Sequence, residues 1–166
     1  MSAVKNLSEI MQEENSAVAV TDLNLWILDK IKSQGYENLS TEEKVIIHIN
    51  ALDWELFNHG VNRLIFGSEI NFSVEMTECL RRVGAHKTAE LFDELLSLIP
   101  KLPLPEDKDE RKAYFMGLKD ETVDRLGLGI QKLFDGREEL FDLVCGYFDS
   151  VRQRLAGQAP HSQASS

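Results

Sequence analysis

Apolar residues recur along this chain at three- and four-residue intervals, and short polar or glycine-containing breaks divide them into blocks. That period is the signature of amphipathic helices, whose buried side chains return to one face every turn. Leu23, Trp26, Ile27 and Ile31 form one stripe, with Thr21 as the expected N-cap and Gly35 where a C-terminal cap belongs. Ser40-Thr41-Glu42-Glu43 reads as a capping box ahead of Val45, Ile49, Leu52 and Leu56, a helix expected to end at Asn58. A short apolar segment follows from Val61 to Phe66 and stops at Gly67-Ser68.

Ser73 is expected to open a helix bearing Met76, Cys79, Leu80 and Val83 and closed by Gly84. The next carries Ala89, Phe92, Leu95, Leu96 and Ile99 and stops at Pro100. KLPLPED is the one linker-like stretch, with Pro105 suited to a first helical turn. Helical patterns then cover Tyr114–Leu118, Val123–Phe134 and Leu140–Leu155, the last two separated by Asp135-Gly136. No segment alternates with the period of two that a sheet strand requires. The reading is an all-α, single-domain compact bundle of about seven to nine helices over residues 1–156, with a flexible polar tail from 157 to 166.

Composition narrows the class. With 43% hydrophobic and 28% charged residues over 166 positions, the chain suits a soluble globular domain with one substantial core. No apolar run is long enough to cross a bilayer. The N-terminal MSAVKNLSEIMQEEN has no apolar core of a secretory signal. Cys79 and Cys145 form no C-x-x-C motif, which fits a cytoplasmic protein with reduced thiols.

Charge changes the picture more. Lys and Arg number 18 against 28 Asp and Glu, a net −10, and the excess is spread along the folded part instead of lying in a tail. Direct nucleic-acid binding needs a basic footprint and is disfavoured. A negative field suits a basic protein partner, or simply solubility. Carboxylates at helical spacing mark candidate surfaces: Glu75 with Glu78; Glu90 with Asp93 and Glu94; Glu106 with Asp109 and Glu110; Glu138 with Asp142. Such rows place negative charges about 5–6 Å apart along a helix. The plain alternative is a solvated face partly neutralised by Arg81, Arg82, Lys108 and Arg111.

Reactive chemistry has little support. His48, His59, His86 and His161 are scattered with no metal-binding spacing, and Glu55-x-x-Asn58 stands where a di-iron bundle would carry Glu-x-x-His. No metal or cofactor is therefore expected. There is no G-x-S-x-G elbow, and Gly127-Leu128-Gly129 lies in a helical pattern with no strand before it, where two small residues suit a close helix contact. An enzyme would have to use the polar loop from Asn58 to Arg63, where Asn58, His59, Gly60 and Arg63 interrupt the helices. The structural reading of that loop is a tight corner. Asn58 terminates the helix, and Gly60 supplies backbone freedom, through a positive φ, that a residue with a Cβ would resist.

Residues 25–100 also resemble a bacterial all-helical family typified by an acidic DNA-mimic protein. Four blocks carry the resemblance in order: Leu25-Trp26-Ile27-Leu28; Leu39 to Val45; Glu55 to Phe66; and Leu80 to Pro100, which reads LRRVGAHKTAELFDELLSLIP. The third matches the family form E-x-x-N-G-G-F-x-Q-F-F, except that His59 replaces its first glycine, Val61 its aromatic and Arg63 its glutamine. The resemblance implies a dimeric acidic protein that occupies the DNA-binding surface of a transcription factor by occlusion, without chemistry. A protein-interaction scaffold whose acidity only keeps it soluble is the alternative, because one fold hosts many functions.

Overall fold

The computed structural model describes residues 5–158. Nine α-helices lie among them: α1 (Leu7–Gln12), α2 (Ser16–Gln34), α3 (Thr41–Phe57), α4 (Val61–Gly67), α5 (Phe72–Arg82), α6 (His86–Ser97), α7 (Lys108–Met116), α8 (Asp120–Gly136) and α9 (Leu140–Ala156). The described residues contain no strand. The expected tail falls mostly outside them, from residue 159 onward.

α3 is the central element. Its N-terminus is the expected capping box: Ser40 accepts from the Glu43 amide, and the Glu43 carboxylate accepts from the Ser40 amide. Its buried residues, Val45, Ile46, Ile47, Ile49, Leu52 and Leu56 among them, face several directions at once, as a helix surrounded by others requires. α2, α4, α5 and α9 pack on it, α6 bridges α5 to α8, α1 wedges between α2 and α9, and α7 lies on α4. Buried side chains from all nine helices except α7 merge into one apolar core, against which Tyr114 and Phe115 of α7 also pack.

Four boundaries differ from the sequence expectation. Ser73 does not open α5, which begins at Phe72 after Asn71. Thr21 does not open α2. Asn15 does, accepting from the Ala17 and Val18 amides, while Thr21 lies inside the helix and donates to the Ala17 carbonyl at 2.8 Å. Pro105 is not in the first turn of α7, which Asp107 caps; the Pro105 carbonyl instead accepts from Arg111 at 3.0 Å. α8 continues through Gly136, so the break before α9 falls at 137–139. The acidic side chain there has a use. Glu138 accepts from the Lys87 and Thr88 amides at 3.3 and 2.8 Å, capping α6, whose own N-cap residue Ala85 has no side chain to do so.

Candidate partner-binding surface

The corner after α3 is built almost entirely by its own residues. Asn58 ends the helix and its side-chain amide donates to the Trp54 carbonyl at 2.8 Å. The positive φ lies at His59 (55°), not at Gly60, whose φ is −101°. The expectation of a left-handed glycine is therefore corrected. His59 pays for its own conformation by packing its ring 4.9 Å from that of Phe134. Gly60 is required for another reason: a Cβ there would overlap the Oε2 atom of Glu55. Oε1 of the same carboxylate accepts from Arg63 at 2.5 Å. Val61, Leu64, Ile65 and Phe66 then turn back into the core. Of the three residues that depart from the family form, His59 and Arg63 thus serve the corner itself, and Val61 is buried in the core.

The acidic candidates on α5 and α6 are largely spoken for. Glu75 accepts from the Tyr36 hydroxyl and lies 3.5 Å from Lys44. Burial would raise its pKa, but Tyr36 and Lys44 outweigh burial and hold it below the usual carboxylate value. Glu78 pairs with Arg82 at 3.1 Å. Asp93 accepts from Thr77 at 2.6 Å and Arg81 at 3.0 Å, joining α6 to α5. Glu94 pairs with Lys132 of α8. Among the five, Glu90 alone has no ion pair within the described residues, and it is exposed.

Other acids carry more uncompensated charge. Glu106, Asp109 and Glu110 around the start of α7, and Asp120, Glu121 and Asp124 in the first turns of α8, are exposed and form no ion pair among the described residues. Carboxylates at helix N-termini are further favoured by the helix dipole. Asp53 of α3 lies near Glu139 and Asp142 at the start of α9; burial first, then these two acids, raise its pKa against the pull of Arg137. The sequence displayed the α7 acids as a row. It gave no sign that the α8 row would be unpaired while the α5 and α6 rows would not.

The buried thiol offers no nucleophile. Burial drives the pKa of Cys79 up to about 12, keeping it a neutral thiol. Glu75 and Lys44, which act on Cys79, also act on His48, whose Nδ1 hydrogen-bonds the Lys44 carbonyl at 2.8 Å and whose Nε2 has no partner. Burial lowers His48 to about 4, so it is neutral at physiological pH. No three His, Cys, Asp or Glu side chains converge in a metal-binding arrangement among the described residues. No described helix is long and apolar enough to cross a membrane.

The family model of DMP19-like protein matches residues 37–154. The chain belongs to the DMP19-like family. The match runs from the turn before α3 to the last turns of α9, so it covers the central helix, the Glu55–Phe66 corner and both exposed acidic rows. This is the DNA-mimic family that the sequence resembles, and the match covers three of the four blocks, Leu25–Leu28 lying ahead of it. No curated protein and no solved structure matches the chain.

Proposed function

We propose that this DMP19-like protein is an acidic, non-enzymatic binding module that docks on a basic DNA-binding protein, such as a transcriptional regulator, and occludes the surface that receives phosphates. The observation that carries the reading is the pair of exposed, unpaired acidic rows on α7 and α8 within a chain of net charge −10. Carboxylates held on rigid helices present negative charge at fixed intervals, which is what a phosphate-binding surface reads. Glu90 belongs to the same class; Glu75, Glu78, Asp93 and Glu94 contribute a weaker field because cations sit beside them. The protein acts in the cytoplasm, needs no cofactor, and binds no nucleic acid itself. It works as a homodimer, since dimeric regulators read half-sites about 34 Å apart and two acidic surfaces are needed to match them.

The test is a three-way competition between this protein, a DNA-binding regulator recovered with it, and the regulator's operator duplex. Mutually exclusive binding is expected, with association slowed by salt more than dissociation is accelerated. Reversal of Asp120, Glu121 and Asp124 to lysine is expected to weaken the complex while leaving helix content unchanged. A ternary complex of all three components would replace occlusion with the scaffold reading.

A further inference from the structure

The run Glu106-Asp107-Lys108-Asp109-Glu110-Arg111 holds four acids and two cations. By sequence, Lys108 and Arg111 would neutralise these acids at the surface. The structure moves both cations away. Lys108 turns to Glu69, ahead of α5. Arg111 points inward: it is 0% exposed, and it is the one fully covered side chain of α7. Glu106, Asp107, Asp109 and Glu110 stay exposed with no ion pair among the described residues. Lys112, the exposed cation next along α7, pairs with none of the four.

Arg111 makes no ion pair among the described residues. Its Nη1 donates to the Pro105 and Glu106 carbonyls at 3.0 and 2.5 Å, and its Nη2 donates to the Ser68 carbonyl. Carbonyl acceptors call only for donors, and a neutral amide has them. A guanidinium cannot shed its proton, so this site holds a full positive charge out of water, which is costly unless opposite charge lies near. Its place adds to the cost, since the first turns of a helix carry the positive end of the helix dipole. Opposite charge is near: Glu106, Asp107 and Glu69 all act on Arg111 electrostatically. The acids have the reciprocal problem, because four like charges within five residues repel one another.

We propose that Arg111 is the internal counter-ion of this acidic row, a positioning residue that holds Glu106 and Asp107 together from beneath while the face offered to a partner stays negative. A surface cation would offset the same repulsion, but it would also occupy the carboxylate oxygens that a basic partner must reach. From the interior, Arg111 supplies the field and leaves those oxygens free. Its hydrogen bond to the Glu106 carbonyl also fixes the backbone that carries the first acid of the row. The bearing on a partner rests on the occlusion reading. The charge coupling itself does not, and it is measured with no partner present, so either can fail alone.

Hydrogen exchange of the α7 amides in the full chain tests the coupling. Glu106→Gln with Asp107→Asn neutralises the two acids of the row that act on Arg111, and asparagine still serves as an N-cap. With Arg111 in place, this pair is expected to speed α7 exchange several-fold, because the buried charge loses its compensation. In an Arg111→Gln background, which keeps donors and removes the charge, no acceleration is expected. In an Arg111→Lys background, which keeps the charge, the acceleration should persist. The weaker interaction of the neutral pair with the helix dipole is common to all three backgrounds and cancels in the comparison. The same acceleration in the Arg111→Gln background would overturn the proposal and leave Arg111 a staple of hydrogen bonds. If Arg111→Gln alone strips α7 of protection, about 1 M sodium chloride should restore it, because the remaining repulsion between exposed carboxylates is then screened within about 3 Å. Protection that salt does not restore would overturn the proposal as well.

Discussion

The carboxylate of Glu55 occupies the space that a Cβ on Gly60 would need. The two residues face each other across the last turn of α3, where the Gly60 amide also donates to the Glu55 carbonyl at 2.7 Å. Because Gly60 has an ordinary negative φ, its role is steric and not conformational. Gly60→Ala is expected to lower stability by about 1–2 kcal/mol, since the displaced carboxylate must give up its Arg63 pairing in a buried site. The check is a double-mutant cycle by thermal melting: in a Glu55→Ala background the same glycine substitution should lose most of its effect. An equal effect in both backgrounds would contradict the steric account.

His48 makes folding sensitive to mild acid. Its folded pKa of about 4 lies below the 6.5 of the free side chain because burial disfavours the cation. Between those values the unfolded chain binds more protons, so stability is complete above about pH 6.5 and falls as pH drops toward 4, by up to about 3 kcal/mol. Lys44, Glu75, Tyr36 and Phe72 surround the ring. Glu75, the acid among them, has a depressed pKa and so loses its contribution only below about 4.5. Urea midpoints at pH 7.5 and 5.5 should differ clearly for the parent chain and much less for His48→Leu.

The two classes of acid should respond differently to neutralisation. Asp93→Asn breaks the links to Thr77 and Arg81 that tie α6 to α5. Both ion-pair partners are about half exposed, so solvent screening keeps the loss to roughly 0.5–1 kcal/mol. Glu90→Gln, with no pairing to lose, should leave the denaturation midpoint unchanged. A reversed order in chemical denaturation would show that the α5–α6 bridges carry no stability.

The glycines of α8 are not equivalent. A Cβ on Gly129 would come within 2.9 Å of the methyl carbons of Leu95 in α6 and of Leu98 just after it, whereas one on Gly127 meets nothing within 4 Å. Gly127→Ala is expected to stabilise by about 0.5–1 kcal/mol through helix propensity. Gly129→Val should destabilise by about 1–3 kcal/mol through overpacking. Melting temperatures moving in opposite directions would verify the pair.

Much of this architecture was legible because its signals are local. The Ser40–Glu43 capping box, the α3 stripe and the apolar run from Val61 to Phe66 all sit where the pattern places them. Thr21 misled because several residues upstream can cap, and Asn15 does so one turn and a half earlier. α1 escaped notice because its 6 residues hold only Leu7 and Ile10 as buried positions, too few to display a period. Half of the Gly-Leu-Gly reading was right: Gly129 makes the close helix contact and Gly127 does not. The surface was harder to read. Whether an acid is free depends on cations far away in sequence, as with Lys132 beside Glu94 and Lys108 beside Glu69. Asn24 and Asn50 likewise come to line one groove only when α2 packs on α3.

The placement of α3 has a consequence for how the molecule opens. α3 touches α2, α4, α5, α8 and α9, whereas α7 rests chiefly on α4. Fluctuations that release α7 need to sacrifice little else, but exposing the backbone of α3 requires several neighbours to depart together. Its amides should therefore exchange hydrogen with solvent only through near-global opening, while those of α7 exchange through small local excursions. One of the two exposed acidic rows thus rides on a helix docked chiefly on a single neighbour, and a partner that grips it would slow the exchange of α7 long before it altered the centre.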